Sequence, residues 1–276
     1  MKKFNIAVLF LAAIVLSIGA FAGCAKKSNE VVVKIGVTGE SLEQWKPVIK
    51  NLAKEGIKVE LVKFGDYIQP NAALASGEID LNAFQHYAFL NNEIKVKGYK
   101  LTPIGETHIS PLGMYSKKIK SVSELKKGDS IAIANDVING GRALLVLQSA
   151  GLIKLKTGSG ALPNVEDIIS NPLNLKFIQV ESAQTPRLLD DVTAAFINGN
   201  FAVDAGFNPD RDSLLIEKQQ EGESSNPYIN VIVARTEDKD NPIYKKVVEA
   251  FQTDEVEEVF LKEYKGVYKP AWKWGK

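Results

Sequence analysis

The sequence predicts an α/β chain of two lobes, each a mainly parallel sheet flanked by helices, joined by two crossing segments. Three observations carry that expectation. β-branched runs alternate with stretches of helical periodicity, an order that folds as right-handed βαβ units. Glycines close the helical stretches, at Gly56, Gly77, Gly98 and Gly151. A polar strand-to-helix junction occurs twice, at Asp80–Leu90 and at Ile197–Ala202, once for each lobe.

Met1-Lys-Lys3 followed by an apolar run from Ile6 to Ala20 has the charged start and short core of an export signal, predicted over residues 1–23. The run is shorter than the roughly 20 residues that span a bilayer. It ends in Phe21-Ala-Gly-Cys24, which resembles the bacterial lipobox and contains the only cysteine of the chain. Residues 24–30 are polar and aperiodic, so they are expected to form a lipidated tether that holds the protein on the outer face of the cell membrane. About 250 residues follow the leader, enough for two units of ordinary size.

A formal net charge of +1 gives no basic stripe, which argues against a nucleic-acid partner. Two histidines and one cysteine give no metal-ligand set, and no cofactor is expected.

The first lobe is predicted over 31–112 and 229–276, the second over 113–228. Val31–Val37 and Ile57–Val62 read as strands, with Leu42, Trp45, Ile49 and Leu52 at helical spacing between them. Ile68–Ala75 reads as a helix, Leu81 opens a strand, and about His86 to Lys97 is a helix. Tyr99–Ile104 and His108–Tyr115 look extended, with the first crossing at Leu112–Ser116. Ser130–Ala134 is a buried strand, Ala143–Ala150 a helix, Leu175–Val180 a strand, Gln184–Asp191 a helix and Ala194–Ile197 a strand. Asp210–Ser225 is polar and expected to be loop. Tyr228–Ala234 is the return strand, and Asn241–Tyr264 holds one or two amphipathic helices. Trp272 and Trp274 are expected to pack on the first lobe.

Ligands in open α/β sheets bind beyond the carboxyl ends of strands, which places Phe84, His86 and Phe89 where a small molecule would sit. By themselves His86 fits a structural histidine equally well, and the two phenylalanines fit a core. Asn135–Arg142 reads as a strand end, a loop with adjacent glycines and a helix start. Free backbone N–H groups and one guanidinium there would suit an anion, best a carboxylate held by the fork of Arg142. The alternative is that Arg142 pairs with a carboxylate on its own helix. Asn198 and Asn230 read as ligand groups, caps or turn residues.

Phe64-Gly-Asp-Tyr67, Asn82-Ala-Phe-Gln-His86, Asn135-Asp136 with Gly141-Arg142, Leu188-Leu-Asp-Asp191, Ile197-Asn198 and Pro227-Tyr-Ile-Asn230 occur in the order that resembles the methionine-binding lipoproteins of ABC importers, the NlpA lipoprotein family. The resemblance implies a type II periplasmic-binding-protein fold closing on L-methionine, with an ABC permease and its ATPase as partners and no enzymatic activity. It places Arg142 on the α-carboxylate, Asn198 and Asn230 around the amino-acid head group, and Tyr67, Phe84, His86 and Phe89 around the side chain and thioether. Phe89 stands where a tyrosine is usual, Ala88 where a proline is usual, and Val137-Ile-Asn139 replaces the more common Pro-Thr-Asn. Relatives similar in fold take other amino acids, D-methionine or a methionine-containing dipeptide. An enzyme reading has Ser123-Glu-Leu-Lys126 and Lys156-Thr-Gly158, which match two penicillin-enzyme motifs without the third. A structural surface lipoprotein is the remaining class.

Overall fold

The computed structural model describes residues 31–158, 162–218 and 226–274, built on two five-stranded sheets. The expected signal peptide and the tether with Cys24 lie outside the described residues.

The chain opens with β1 (Val31–Thr38), α1 (Trp45–Ala53), β2 (Ile57–Phe64), α2 (Gln69–Ser76), β3 (Leu81–His86), α3 (Tyr87–Lys97) and β4 (Leu101–Glu106). β1 runs parallel to β2 along its whole length, Val31 opposite Ile57 and Thr38 opposite Phe64, and parallel to β3 at Ile35 and Leu81. Gly36 permits that packing: a Cβ there would lie 2.5 Å from Ile79 Cδ1. α1 buries Trp45, Val48 and Leu52, one stripe at helical spacing. α2 and α3 stop at Gly77 and Gly98, both in the left-handed conformation that glycine adopts without a Cβ penalty.

β5 (His108–Ile109) stays with the first lobe, whereas β6 (Gly113–Tyr115) belongs to the second sheet, so the chain crosses at Ser110–Leu112. There follow β7 (Ser130–Ala134), α4 (Val137–Ser149), the small antiparallel pair β8 (Lys154–Leu155) and β9 (Ile168–Ser170), β10 (Lys176–Val180), β11 (Ala194–Ile197), α5 (Gly199–Asp204), α6 (Pro209–Asp212) and β12 (Leu215–Ile216). The second sheet has the order β10-β7-β11-β6-β12. The chain then returns as β13 (Asn230–Arg235), which inserts between β3 and β4 and completes the order β2-β1-β3-β13-β4. α7 (Pro242–Phe251), α8 (Asp254–Lys262) and β14 (Lys269–Pro270) finish the first lobe, β14 pairing with β5. Trp272 packs on Phe251 and Phe260, in the first lobe as expected, with ring centroids 5.9 Å away in each case.

The sheets are parallel on one side only. β1, β2 and β3 are parallel, as are β7, β10 and β11, but β13 is antiparallel to both neighbours and β6 is antiparallel to β11 and β12. β6 and β13 enter from the crossing segments rather than through a βαβ turn, so nothing imposes the parallel sense on them.

Three local expectations are corrected. The helix expected at Ala143 begins at Val137, so Gly140 and Gly141 are helical rather than a loop of free N–H groups. Their lack of a side chain serves packing: a Cβ on Gly140 would meet Ala134 O at 2.6 Å, and one on Gly141 would meet Pro163 O at 3.0 Å. The segment expected as a helix over Gln184–Asp191 is a 3-10 helix, Ser182–Asp190, with Pro186 inside it, whose ring would clash with the carbonyl four residues back in an α-helix. The polar stretch from Asp210 contains the end of α6 and the strand β12.

Candidate functional site

The carboxyl end of β3 meets the crossing segment that precedes β13, and this junction fixes His86. The first two N–H groups of α3, on Tyr87 and Ala88, donate to the carbonyls of Ile229 (3.1 Å) and Pro227 (2.8 Å). The third, on Phe89, donates to His86 Nδ1 at 3.1 Å. His86 is thus the N-cap of α3, a role ordinarily taken by Ser, Thr, Asp or Asn. Because Nδ1 accepts, the neutral ring carries its proton on Nε2. Burial, and then the charge of Arg142, push the His86 pKa down to about 3, so the ring stays neutral near pH 7.

The Nε2 proton of His86 points at Asn139 Oδ1, 3.3 Å away. Arg142 Nη1 donates to the same oxygen at 3.1 Å, and Asn198 Nδ2 at 3.0 Å. Asn139 is held in that orientation because its own Nδ2 donates to both oxygens of Asp136, at 3.1 Å each. Asp136 in turn caps α4 by accepting from Asn139 N at 2.8 Å. Donors from both lobes therefore converge on one point, as an anionic head group requires. Tyr228 stacks over the guanidinium of Arg142, 4.1 Å from carbon to ring centroid, and meets the His86 ring edge-on at 5.4 Å.

The fork of Arg142 is already occupied. Its Nε and Nη2 donate to Glu217 Oε1 and Oε2 at 3.0 and 2.5 Å, a pair almost closed to solvent. The partner stands beyond β12, not on α4, so neither the free fork nor a carboxylate on the same helix describes Arg142. Against burial, the Glu217 carboxylate holds the guanidinium pKa above its ordinary value.

Beside this polar cluster lies an aromatic slot. Phe84 and Phe89 meet edge-to-face at 6.0 Å, and Tyr67 lies 5.8 Å from Phe84 and 6.1 Å from Phe89. Phe201 of α5 stacks on Tyr67 at 5.1 Å, so the slot is closed by the opposite lobe. Burial, with Asp136 nearby, holds the Tyr67 phenol far above its ordinary pKa, and its hydroxyl donates to Asn200 Oδ1 at 2.6 Å.

Tyr67, Phe84, His86, Phe89, Arg142, Asn198 and Asn230, all singled out from the sequence, line one cleft of about 760 Å³, open mouth included. His86 belongs with the polar cluster as well as with the slot, where it meets Phe89 edge-on at 6.3 Å. Asn198 is the N-cap residue of α5 by backbone position, yet its side chain turns to Asn139 instead of capping. Asn139, Asn200, Tyr228 and Glu217 were not singled out. Tyr228 stood in the Pro-Tyr-Ile-Asn block, whereas no local pattern marks Glu217.

A cleft between two lobes, with a polar cluster at one end and a ring-lined slot at the other, defines a two-lobed binding protein for a small molecule. The chain belongs to the NlpA lipoprotein family, whose pattern it matches over residues 33–272. It is 46% identical over 244 residues to the D-methionine-binding lipoprotein MetQ of Yersinia pestis, covering 87% of this chain and 88% of that protein. It is similar in structure to the methionine binding protein MetQ, with a TM-score of 0.83, 44% identity and coverage of 87% and 98%. A nutrient binding protein from Burkholderia cenocepacia bound to methionine gives 0.81 and 44%, over 86% of this chain and 99% of the other.

Proposed function

We propose that this chain is the substrate-binding lipoprotein of an ABC importer and captures L-methionine. The observation that carries the reading is the junction of an aromatic slot with a convergent donor cluster in one inter-lobe cleft. A thioether is polarizable and gains from ring edges, and an unbranched chain fills a narrow slot. In this reading Tyr67, Phe84 and Phe89 take the side chain. Arg142, through Nη1, and the Nε2 proton of His86 take the α-carboxylate in the place that Asn139 Oδ1 now shares with them. Asn198 and Asn230 take the rest of the head group. D-methionine, another amino acid or a methionine-containing dipeptide is the alternative ligand.

Binding would supply no chemistry. The lobes, 31–112 with 229–276 and 113–228, close about the two crossing segments, and contacts from both faces stabilise the closed form. That form is what the permease and its ATPase would recognise. Among the described residues no helix is long and apolar enough to cross a membrane. In this reading a lipid on Cys24 attaches the protein to the outward face of the cell membrane. The enzyme motifs lie elsewhere: exposed Ser123 shares a hydrogen bond with Ser121, and Lys156 pairs with Asp167.

Native mass spectrometry of the purified protein, then calorimetry of stripped protein with both enantiomers of methionine, tests the ligand. A bound mass of methionine and saturable heat are expected, and the absence of heat with any amino acid or short peptide removes the reading. Radiolabelled palmitate should enter the wild-type protein and not Cys24→Ala; an unlabelled wild type removes the anchor.

A further inference from the structure

Among the described residues, the wall of the cleft carries one formal charge, on Arg142, which is 3% exposed. Glu217, which pairs with it, is not on that wall. It opens instead on a separate groove behind the guanidinium, beside Asp210 and Lys269. Two hydrogen bonds, one to its side chain and one from its backbone, tie it to the crossing segment: Leu112 N–H donates to Glu217 Oε2 at 3.4 Å, and Glu217 N–H donates to Leu112 O at 2.9 Å. The other carboxylate near Arg142, Asp136, is only half-buried and is engaged by the first turn of α4 and by Asn139.

A buried charge without a partner is costly, and a buried pair is tolerated only when its charges cancel. The arrangement thus leaves a cleft that is already neutral, with the Nη1 end of Arg142 as its remaining point of contact. We propose that Glu217 is a positioning and specificity-determining residue, which cancels the buried charge of Arg142 from outside the cleft so that the site selects net-neutral amino acids over anions of the same shape.

The inference rests on the methionine reading and deepens it. A zwitterion adds no net charge to the closed cleft, whereas an anion adds one that Glu217 has left without a counter-charge.

The test compares L-methionine with 2-hydroxy-4-(methylthio)butanoate, which keeps the carboxylate and thioether but replaces the ammonium with a hydroxyl and so carries one negative charge. Calorimetry gives the ratio of the two dissociation constants in wild-type protein and in Glu217→Gln, whose side chain keeps the shape without the charge. The ratio is expected to shift at least tenfold toward the anion in the variant. It overturns the inference if both affinities change by the same factor, as a purely structural role demands. It is equally overturned if both ligands gain alike, because then the ligand carboxylate simply replaces Glu217 in the fork.

Glu217→Met, neutral and of similar volume, carries the test if Glu217→Gln does not fold, with the same shift toward the anion expected and an unmoved ratio overturning the inference. Glu217→Asp, which keeps the charge, is the control: its ratio is expected to stay within twofold of wild type, and a shift toward the anion overturns the inference. Wild-type protein that gives no heat with methionine overturns the inference together with the reading beneath it. Methionine that binds, with a ratio unmoved in the neutral variant, overturns the inference alone.

Discussion

Asp204 at the end of α5 accepts the backbone N–H of Ser41, from the loop after β1, at 2.9 Å through Oδ1. Its other oxygen accepts the N–H of Glu40 at 2.8 Å. The contact spans the two lobes at the edge of the cleft, whose wall includes Ser41, and Asn200 of the same helix reaches Thr38 Oγ1 at 3.4 Å. Asp204 itself is not on the cleft wall, so the bridge joins the lobes without a ligand.

Asp204→Ala is therefore expected to speed ligand release by about tenfold, the loss of one to two hydrogen bonds to a charged acceptor, with little change in the association rate. Stopped-flow release measured on tryptophan fluorescence checks this. An unchanged release rate would show that the bridge does not help to hold the lobes shut.

His86 joins a structural role to a functional one, and substitutions separate them. His86→Asn keeps a side-chain acceptor for Phe89 N, so stability should remain near wild type, whereas His86→Ala should cost about 1 kcal/mol through the lost cap. Both remove the Nε2 proton and should weaken methionine binding by similar factors. Urea unfolding and calorimetry on the two variants give the comparison.

Removing the guanidinium leaves the largely buried Glu217 carboxylate without its counter-charge. Arg142→Ala should lose about 3–5 kcal/mol of stability as well as binding, while Arg142→Ala with Glu217→Gln recovers much of the stability and none of the binding. Unfolding of the single and double variants, with ligand titrations beside them, reads both effects.

The placement of His86 and Arg142 shows what local sequence reveals and where it stops. The β-branched runs and closing glycines set β1, β2, α2 and α3 in order because their signals are local. Val37, Leu52 and Leu81 bury together as the alternating pattern requires. Gly140 and Gly141 misled because adjacent glycines ordinarily break a helix, and only the nearness of Ala134 and Pro163 explains them. Tyr67, Phe84 and Phe89 were grouped only by the family resemblance, since by themselves the two phenylalanines fit a core. Asn139 and Glu217 were not legible, since the first acquires its role from donors on β3 and before α5, and the second reaches Arg142 from 75 residues along the chain.

Two buried histidines make stability depend on acid. Burial, with Arg142 adding to it at His86, lowers both His86 and His108 to about 3, below the 6.5 of an unfolded histidine. The unfolded chain thus binds more protons between those values, and stability falls as pH drops through that window, by about 1.4 kcal/mol per pH unit for each ring. Urea midpoints from pH 7 to pH 4 should fall accordingly, with a smaller slope in His108→Gln. Methionine affinity should stay flat from pH 5 to pH 8, because neither His86 nor Arg142 changes charge there.

Calorimetry of stripped protein with methionine and with 3-(methylthio)propylamine, which keeps the thioether and the amine but lacks the carboxylate, tests the central claim most directly. One-to-one saturable heat with methionine and none with the amine is the result expected of a cleft that joins a ring-lined slot to the donors of His86, Arg142 and Asn198. Equal heats for the two, or no heat for either, would contradict it.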